Sequence, residues 1–323
     1  MSDPRSQFDV LCTGLIVADF VGAPIVRMPG SGCLVTTPRI EMAIGGCAAN
    51  TAVDLAKLEL QVGIVGQVGD DSMGQFVRHE LQRAQVSCEL LTSSRSAQTA
   101  ATLIVNVEGE DRRFIHAVGA NAEFTADSLT RDVLSRTRVL CVGGYALNAA
   151  LSAESICRVF RTARELGVIT ALDVVIGDPA PVWEMLKPVL PLTDLFLPNQ
   201  DEGQMILGIH DPHEQAKRFA GAGARTVIVT RGAQGSIHYD GREMWDAAAY
   251  PIERMVDGTG GGDAFVAGYL YGLLQKSEPL KCLAYGAAMG ASCVRAAGAT
   301  TSVFRRGELE DFVAAHPLRC VQK

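Results

Sequence analysis

Several common functional signals are missing from this sequence. None of its nine cysteines forms a Cys-x-x-Cys pair, which excludes the usual zinc, dithiol-redox and ferredoxin spacings. The six histidines show no metal-binding spacing. No apolar stretch reaches about 18 residues, so no membrane-spanning helix is expected. No basic run appears and the formal net charge is -7, which argues against a nucleic-acid face. Internal repeats and low-complexity tracts are also absent. The polar start, MSDPRSQ, carries no apolar leader core, and the expected compartment is the reducing cytoplasm.

What is present is the composition of an ordinary soluble globular protein: 323 residues, 48% hydrophobic and 20% charged. That length buries a large core, as one α/β domain spanning 1–323 or as a core with a small appendage. Short β-rich runs alternate with helical runs, the signature of a mostly parallel sheet flanked by helices. FDVLCTG (8–14), VGIVGQVG (62–69), RVLCVGG (138–144), ITALDVV (169–175), DLFLPN (194–199) and TVIVT (226–230) read as strands. Helices are expected over 48–58, 72–85, 151–166, 201–206, 212–221, 263–274, 280–296 and 307–315. Cys12, Cys141 and Cys293 fall in apolar runs and read as small core residues.

Two stretches, approximately 15–45 and 99–118, break this rhythm. The second holds two strands, TAATLIVNV and RRFIHAV, joined by the turn EGED. Two strands do not stand alone. The stretches are expected to pair into a small β-sheet, either a lid over the strand ends or edge hairpins without motion.

The main glycine cluster is DGTGGGDAFVAG, Asp257–Gly268. Gly260, Gly261 and Gly262 bring backbone N–H groups together at a helix start, a nest that suits a phosphoryl group. The pattern lacks the Gly-Lys-Ser/Thr of a Walker A loop and the early position of a dinucleotide fingerprint. Asp263 at its mouth is either a base that takes the proton of an attacking hydroxyl or a plain helix cap. Asp257 reads as a loop-orienting or cation-binding carboxylate, or as a turn residue.

Other clusters carry the same double reading. In AIGGCAANTA, Asn50 either contacts a polyhydroxy ligand or caps a helix. Asp19 suits sugar hydroxyls or a surface position. In PNQDEG, Asn199 and Glu202 either reach a hydrated magnesium ion, or Asn199 caps the next helix, a reading that leaves Glu202 less explained. In TRGAQG, Thr230, Gly232 and Gly235 give room beside a nucleotide or make a tight hairpin. His116 either faces substrate or is an ordinary half-buried histidine. Arg112 or Arg113 could reach a phosphate, but neither is singled out as a site residue.

Taken together, AIGGCAANTAVDLAKL, GQVGDDSMG, PNQDE, TRGAQG and DGTGGGDAFVAG resemble, in order and spacing, the ribokinase-like (PfkB) family of carbohydrate and nucleoside kinases. The likeness covers about 8–316. It implies a Rossmann-like, mostly parallel sheet flanked by helices, a small β-sheet lid, and dimerisation through that lid. It further implies ATP and Mg2+ as cofactors, K+ in some members, and a small sugar or nucleoside as acceptor. By resemblance Asp263 is the catalytic base and Gly260, Gly261 and Gly262 the anion hole. Asn199 and Glu202 support magnesium and phosphate, while Thr230, Gly232 and Gly235 border the nucleotide. Asp19, Gly46 and Asn50 hold the acceptor, and Asp257, Gly298 and Ser302 correspond to a monovalent-cation loop. Val17 stands where ribokinase has an amide and Cys47 where it has a lysine, which removes polar contacts expected at a ribose site. The acceptor is thus open among ribose, another sugar, a sugar acid and a nucleoside. A binding or regulatory protein on the same scaffold is the non-enzymatic alternative.

Overall fold

The computed structural model describes residues 7–110, 112–148, 150–177 and 182–323. Nearly all of the polar start and the last residue of the EGED turn lie outside this set. Fourteen strands run in chain order among the described residues. They are β1 (Phe8–Gly14), β2 (Val17–Gly22), β3 (Ile40–Gly45), β4 (Val62–Gly69), β5 (Ser87–Ser94), β6 (Ala101–Val105), β7 (Arg113–Ala117), β8 (Thr137–Gly143), β9 (Ile169–Leu172), β10 (Leu195–Phe196), β11 (Thr226–Thr230), β12 (Ser236–Tyr239), β13 (Met244–Ala247) and β14 (Cys320–Gln322). The helices are α1 (Cys47–Lys57), α2 (Ser72–Arg83), α3 (Arg131–Leu134), α4 (Ala153–Glu165), α5 (Val182–Leu186), α6 (Gln200–Leu207), α7 (Pro212–Gly221), α8 (Gly261–Leu274), α9 (Pro279–Cys293) and α10 (Arg306–Ala315).

Ten strands form one sheet in the order β14-β13-β12-β11-β10-β9-β8-β1-β4-β5. Its pairings from β5 across to β11 are parallel, and β12, β13 and β14 add an antiparallel edge. The central strand β1 shows why helices must cover both faces. Val10 and Cys12 join the core under α1, α8 and α9, whereas Leu11 joins the core under α4 and α7. Side chains alternate across a strand, so a continuous apolar run needs partners on both sides. Cys12, Cys141 and Cys293 are all buried in these cores.

The remaining strands, β2, β3, β6 and β7, form a separate four-stranded sheet in the order β3-β2-β6-β7. They fall inside the two irregular stretches of sequence. Its rows alternate in chemistry: Ala43, Asp19, Thr102 and His116 are cross-strand partners, and the next row is Met42, Phe20, Leu103 and Ile115. These two rows lie on opposite faces of the sheet, one row polar and the other apolar. No described helix is long and apolar enough to cross a membrane.

Candidate active site

The carboxyl ends of the parallel strands and the N-termini of α1, α6 and α8 converge on a cleft of about 190 Å3. Cys47, Asp173, Asn199, Glu202, Thr230, Gly260, Gly262 and Asp263 line it. A larger open groove of about 800 Å3 runs beside Leu280, Tyr285, Val313 and Leu318. It contains none of the residues singled out from sequence, so size does not locate the chemistry here.

Gly260 is the N-cap of α8, and Asp263 follows in its first turn. The helix starts earlier than the sequence reading placed it, and Asp263 is not its cap. Its Oδ2 instead accepts a 2.9 Å hydrogen bond from Asn50 Nδ2. Asn50 belongs to the first turn of α1, whose N-cap is Gly46, so its side chain reaches across to α8 rather than capping. Gly260 has φ +77°, and a Cβ there would lie 2.5 Å from the Ala299 carbonyl oxygen. A side chain is therefore excluded by conformation and by space together. The amides of Gly261, Gly262 and Asp263 sit at the helix N-terminus, where N–H groups lack intrahelical acceptors.

Asn199 and Glu202 form a full capping box on α6. Asn199 Oδ1 accepts from the Asp201 and Glu202 amides at 2.9 and 2.8 Å, and Glu202 Oε2 accepts from the Asn199 amide at 2.8 Å. The cap thus accounts for both residues, while both also line the cleft. The Thr230 amide donates to the Pro198 carbonyl at 3.0 Å, which clamps the two strand ends side by side. Gly232 and Gly235 shape the turn from β11 into antiparallel β12 and are not among the residues lining the cleft. The hairpin reading of that segment holds.

The polar row of the small sheet does not line this cleft, but it lies near enough for the charge of Asp263 to act on Asp19. Asp19 is buried, and a Cβ at Gly45 would lie 2.0 Å from its Oδ2, so Gly45 makes its room. Thr102 Oγ1 and His116 Nδ1 are 3.1 Å apart, and the buried His116 Nε2 has no hydrogen-bond partner among the described residues. Gly46 ends β3's return into α1. The glycine loop is tied internally. Asp257 Oδ2 accepts from the Gly298 amide at 3.0 Å, and its Oδ1 accepts from the Thr259 amide and hydroxyl and from Arg112. Gly258 leaves room for that arginine, since a Cβ there would lie 3.3 Å from its Nη2. Ser302 Oγ donates to the Ser292 and Cys293 carbonyls at the end of α9. Arg112 therefore meets the glycine loop, while Arg113 pairs with Glu110.

Electrostatics mark the cleft as an acid-rich enclosure. Burial pushes Asp263 above the ordinary carboxylate range, against hydrogen bonds from Asn50 and Cys47 that favour the charged form. Burial raises Glu202 to about 7, with the Asn199 amide opposing and the charge of Asp263 adding to the rise. Burial raises Asp19 to about 6, opposed by Thr102 and reinforced by Asp263 and Asp257. Asp173 is also driven up, by burial and then by the charges of Glu202 and Asp263. Asp257 goes the other way: burial is outweighed by its amide and hydroxyl donors and by Arg112.

Asp173 is the residue that sequence reasoning missed. It follows directly on β9, and its Oδ2 accepts from the Gly144 amide at 3.0 Å. A carboxylate at the carboxyl end of a parallel strand was the available signal.

The architecture and these motifs have counterparts in known proteins. The chain is 23% identical over 308 residues to a 5-dehydro-2-deoxygluconokinase of Clostridium perfringens, covering 90% of this chain and 88% of that one. It is 29% identical over 274 residues to the fructoselysine 6-kinase of Shigella flexneri, covering 84% and 97%. A putative ribokinase II from E. coli, solved in complex with ATP and Mg2+, superposes with a TM-score of 0.82 at 23% identity, covering 96% and 100%. Residues 7–305 match the pfkB family carbohydrate kinases, and the chain belongs to that family.

Proposed function

We propose that this protein transfers the γ-phosphoryl group of ATP to a hydroxyl of a small carbohydrate, with Asp263 as the general base. The observation that carries this reading is the position of Asp263. Its carboxylate is oriented by Asn50 Nδ2 at 2.9 Å and lines one cleft with Gly260, Gly262, Asn199, Glu202 and Thr230. The acceptor hydroxyl enters from the Asp19 and Asn50 side and gives its proton to Asp263 as its oxygen attacks phosphorus. The amides of Gly260, Gly261 and Gly262 face the charge that builds on the transferring group. Thr230 borders the nucleotide.

The second carboxylate oxygen of Glu202, held in place by the cap with Asn199 in an enclosure already crowded with carboxylates, suits the water shell of a magnesium ion carried in on the phosphates. When bound, that ion neutralises polyphosphate charge. The small sheet acts as a lid that limits hydrolysis by water, and two copies associate through its apolar face. Potassium is not part of the scheme, because a cation at Asp257 would meet the guanidinium of Arg112 on the same carboxylate.

Asp263→Asn should keep ATP binding and lose turnover on the order of 10²-fold or more. The test is coupled ADP release over pentoses, hexoses, sugar acids and nucleosides, with nucleotide binding measured separately. Undiminished turnover in the variant would overturn the base assignment. Phosphorylation of adenosine alone would move the acceptor to nucleosides, and ATP binding without transfer to any acceptor would favour a regulatory role.

A further inference from the structure

Cys47 stands at the first position of α1, on the floor of the same cleft. Its Sγ and one oxygen each of Asp173 and Asp263 all lie within 4.8 Å of one another. Three separate elements hold them there. A Cβ at Gly143 would sit 3.0 Å from Cys47 Cβ, so the bare glycine at the end of β8 lets the start of α1 close down. Asp173 is anchored through Oδ2 by the Gly144 amide at 3.0 Å, and Asp263 through Oδ2 by Asn50 at 2.9 Å. Oriented carboxylates of this kind make good metal ligands, because their outer partners fix the direction of the donor atoms.

A second observation comes from the buried residue that is bonded to this group. The Asn50 side chain is only 4% exposed and reaches Asp263 with its Nδ2, yet its Oδ1 has no hydrogen-bond partner among the described residues. A buried amide oxygen without a donor beside three acidic groups is satisfied by a cation or by water bound to one.

We infer that Cys47, Asp173 and Asp263 form a binding site for a thiophilic divalent cation of the zinc class, and that its occupation silences the base. One sulfur and two oxygens suit tetrahedral zinc, whose ligands lie about 3.5 Å from one another, so small side-chain rotations close the set. Magnesium prefers six hard oxygens in octahedral array and is poorly served by a thiol. The proposed magnesium position beside Asn199 and Glu202 is therefore a different one. Binding forms a sulfur–metal bond and releases the thiol proton to solvent, with no change of oxidation state. Burial and the charges of Asp263, Asp173 and Glu202 hold the Cys47 thiol well above its ordinary range, so the thiolate forms only as the metal takes the place of its proton. With its carboxylate on the metal, Asp263 has no free oxygen to take a proton from the acceptor.

Metal binding itself rests on geometry alone; only the inhibitory consequence rests on Asp263 being the base, and the two are tested apart. Cys33, Cys88 and Cys320 are the other thiols that are not buried, so the experiment starts from the full chain with those three changed to serine. Cadmium titration should give one equivalent of a thiolate-to-metal absorption band, and calorimetry with zinc should give one site with proton release. Adding Cys47→Ser should abolish the band and weaken zinc on the order of 100-fold, and Asp173→Asn should weaken it at least about 10-fold. No band with Cys47 present, or zinc affinity unchanged in both variants, overturns the site. In the kinase assay at fixed Mg2+ and ATP, zinc should compete with the acceptor, and Cys47→Ser should raise the inhibitory concentration at least about 10-fold. Stoichiometric binding without inhibition would overturn the silencing of the base.

Discussion

Asp263 and Asn50 come from helices far apart in sequence and meet through one hydrogen bond, so each reports on the other. Asn50 does two things to the carboxylate: it fixes its direction and, by donating to the charged form, it opposes the rise caused by burial. Replacing Asn50 with alanine removes both. The proton affinity of Asp263 should then rise further, and the acid limb of the kcat/KM profile should move to higher pH, since the base must lose its proton before it can act. A lost hydrogen bond to a charged group, about 1.5–3 kcal/mol, corresponds to a fall in turnover of roughly 10- to 100-fold. A limb that stays in place while turnover falls would limit Asn50 to positioning. In the sequence the pair was legible only as two residues with two readings each. Nothing local says that Asn50 faces Asp263, because that contact exists only once α1 and α8 are packed. Asp173 was hidden for a related reason: within ITALDVV it is one more strand-end residue, and its importance comes from the carboxylates that the fold sets beside it.

At the scale of elements, the helix start at Gly260 explains why the glycine run cannot vary freely. Gly260→Ala forces a side chain into a left-handed backbone position and against the Ala299 carbonyl. Strain of this kind costs about 1–3 kcal/mol. The expected result is a Tm lower by several degrees in a thermal melt, together with loss of turnover as the amides shift. A normal Tm and normal activity would mean that the loop tolerates another conformation. The small sheet and the glycine loop are joined at this point by Arg112, which engages Asp257 and Thr259. Because its charge already sits on Asp257, turnover in potassium and in sodium buffers of equal ionic strength should agree, and Arg112→Ala should make the rate depend on the cation. The apolar parallel strands β1, β4, β8 and β11 and the longer helices were legible from their composition and periodicity, whereas the eight-residue parallel β5, SCELLTSS, was missed because its mixed polar composition gives no apolar run. The antiparallel edge was not legible either: β12, β13 and β14 are too short to show alternation, and β14 is placed by pairing with β13 rather than by its own sequence. Asn199 was legible as a cap while Glu202 was not, and the full capping box now accounts for both.

For the molecule as a whole, the small sheet poses a solvation problem that one chain does not solve. The charges of Asp263 and Asp257 act on Asp19 in its polar row, which sets that row on the side of the glycine loop. Alternation then turns the neighbouring row outward. In that row Met42 is 36% exposed, Leu103 51% and Ile115 62%, and Ile40 at the strand end is 68% exposed. A contiguous apolar face of this size on a sheet is normally covered. A second copy of the same face is self-complementary about a two-fold axis and buries both at once. Light scattering after size exclusion should therefore give twice the 34.3 kDa chain mass. Leu103→Lys combined with Ile115→Lys places two like charges on each side of the interface and should yield monomers. Those positions lie on the face opposite Asp19, so nucleotide binding should be unchanged. If association also holds the lid over the acceptor, KM for the acceptor should rise several-fold more than kcat falls. A wild-type monomer at micromolar concentration would remove the interface, whereas a monomeric variant with unchanged KM would keep it and free the lid from it.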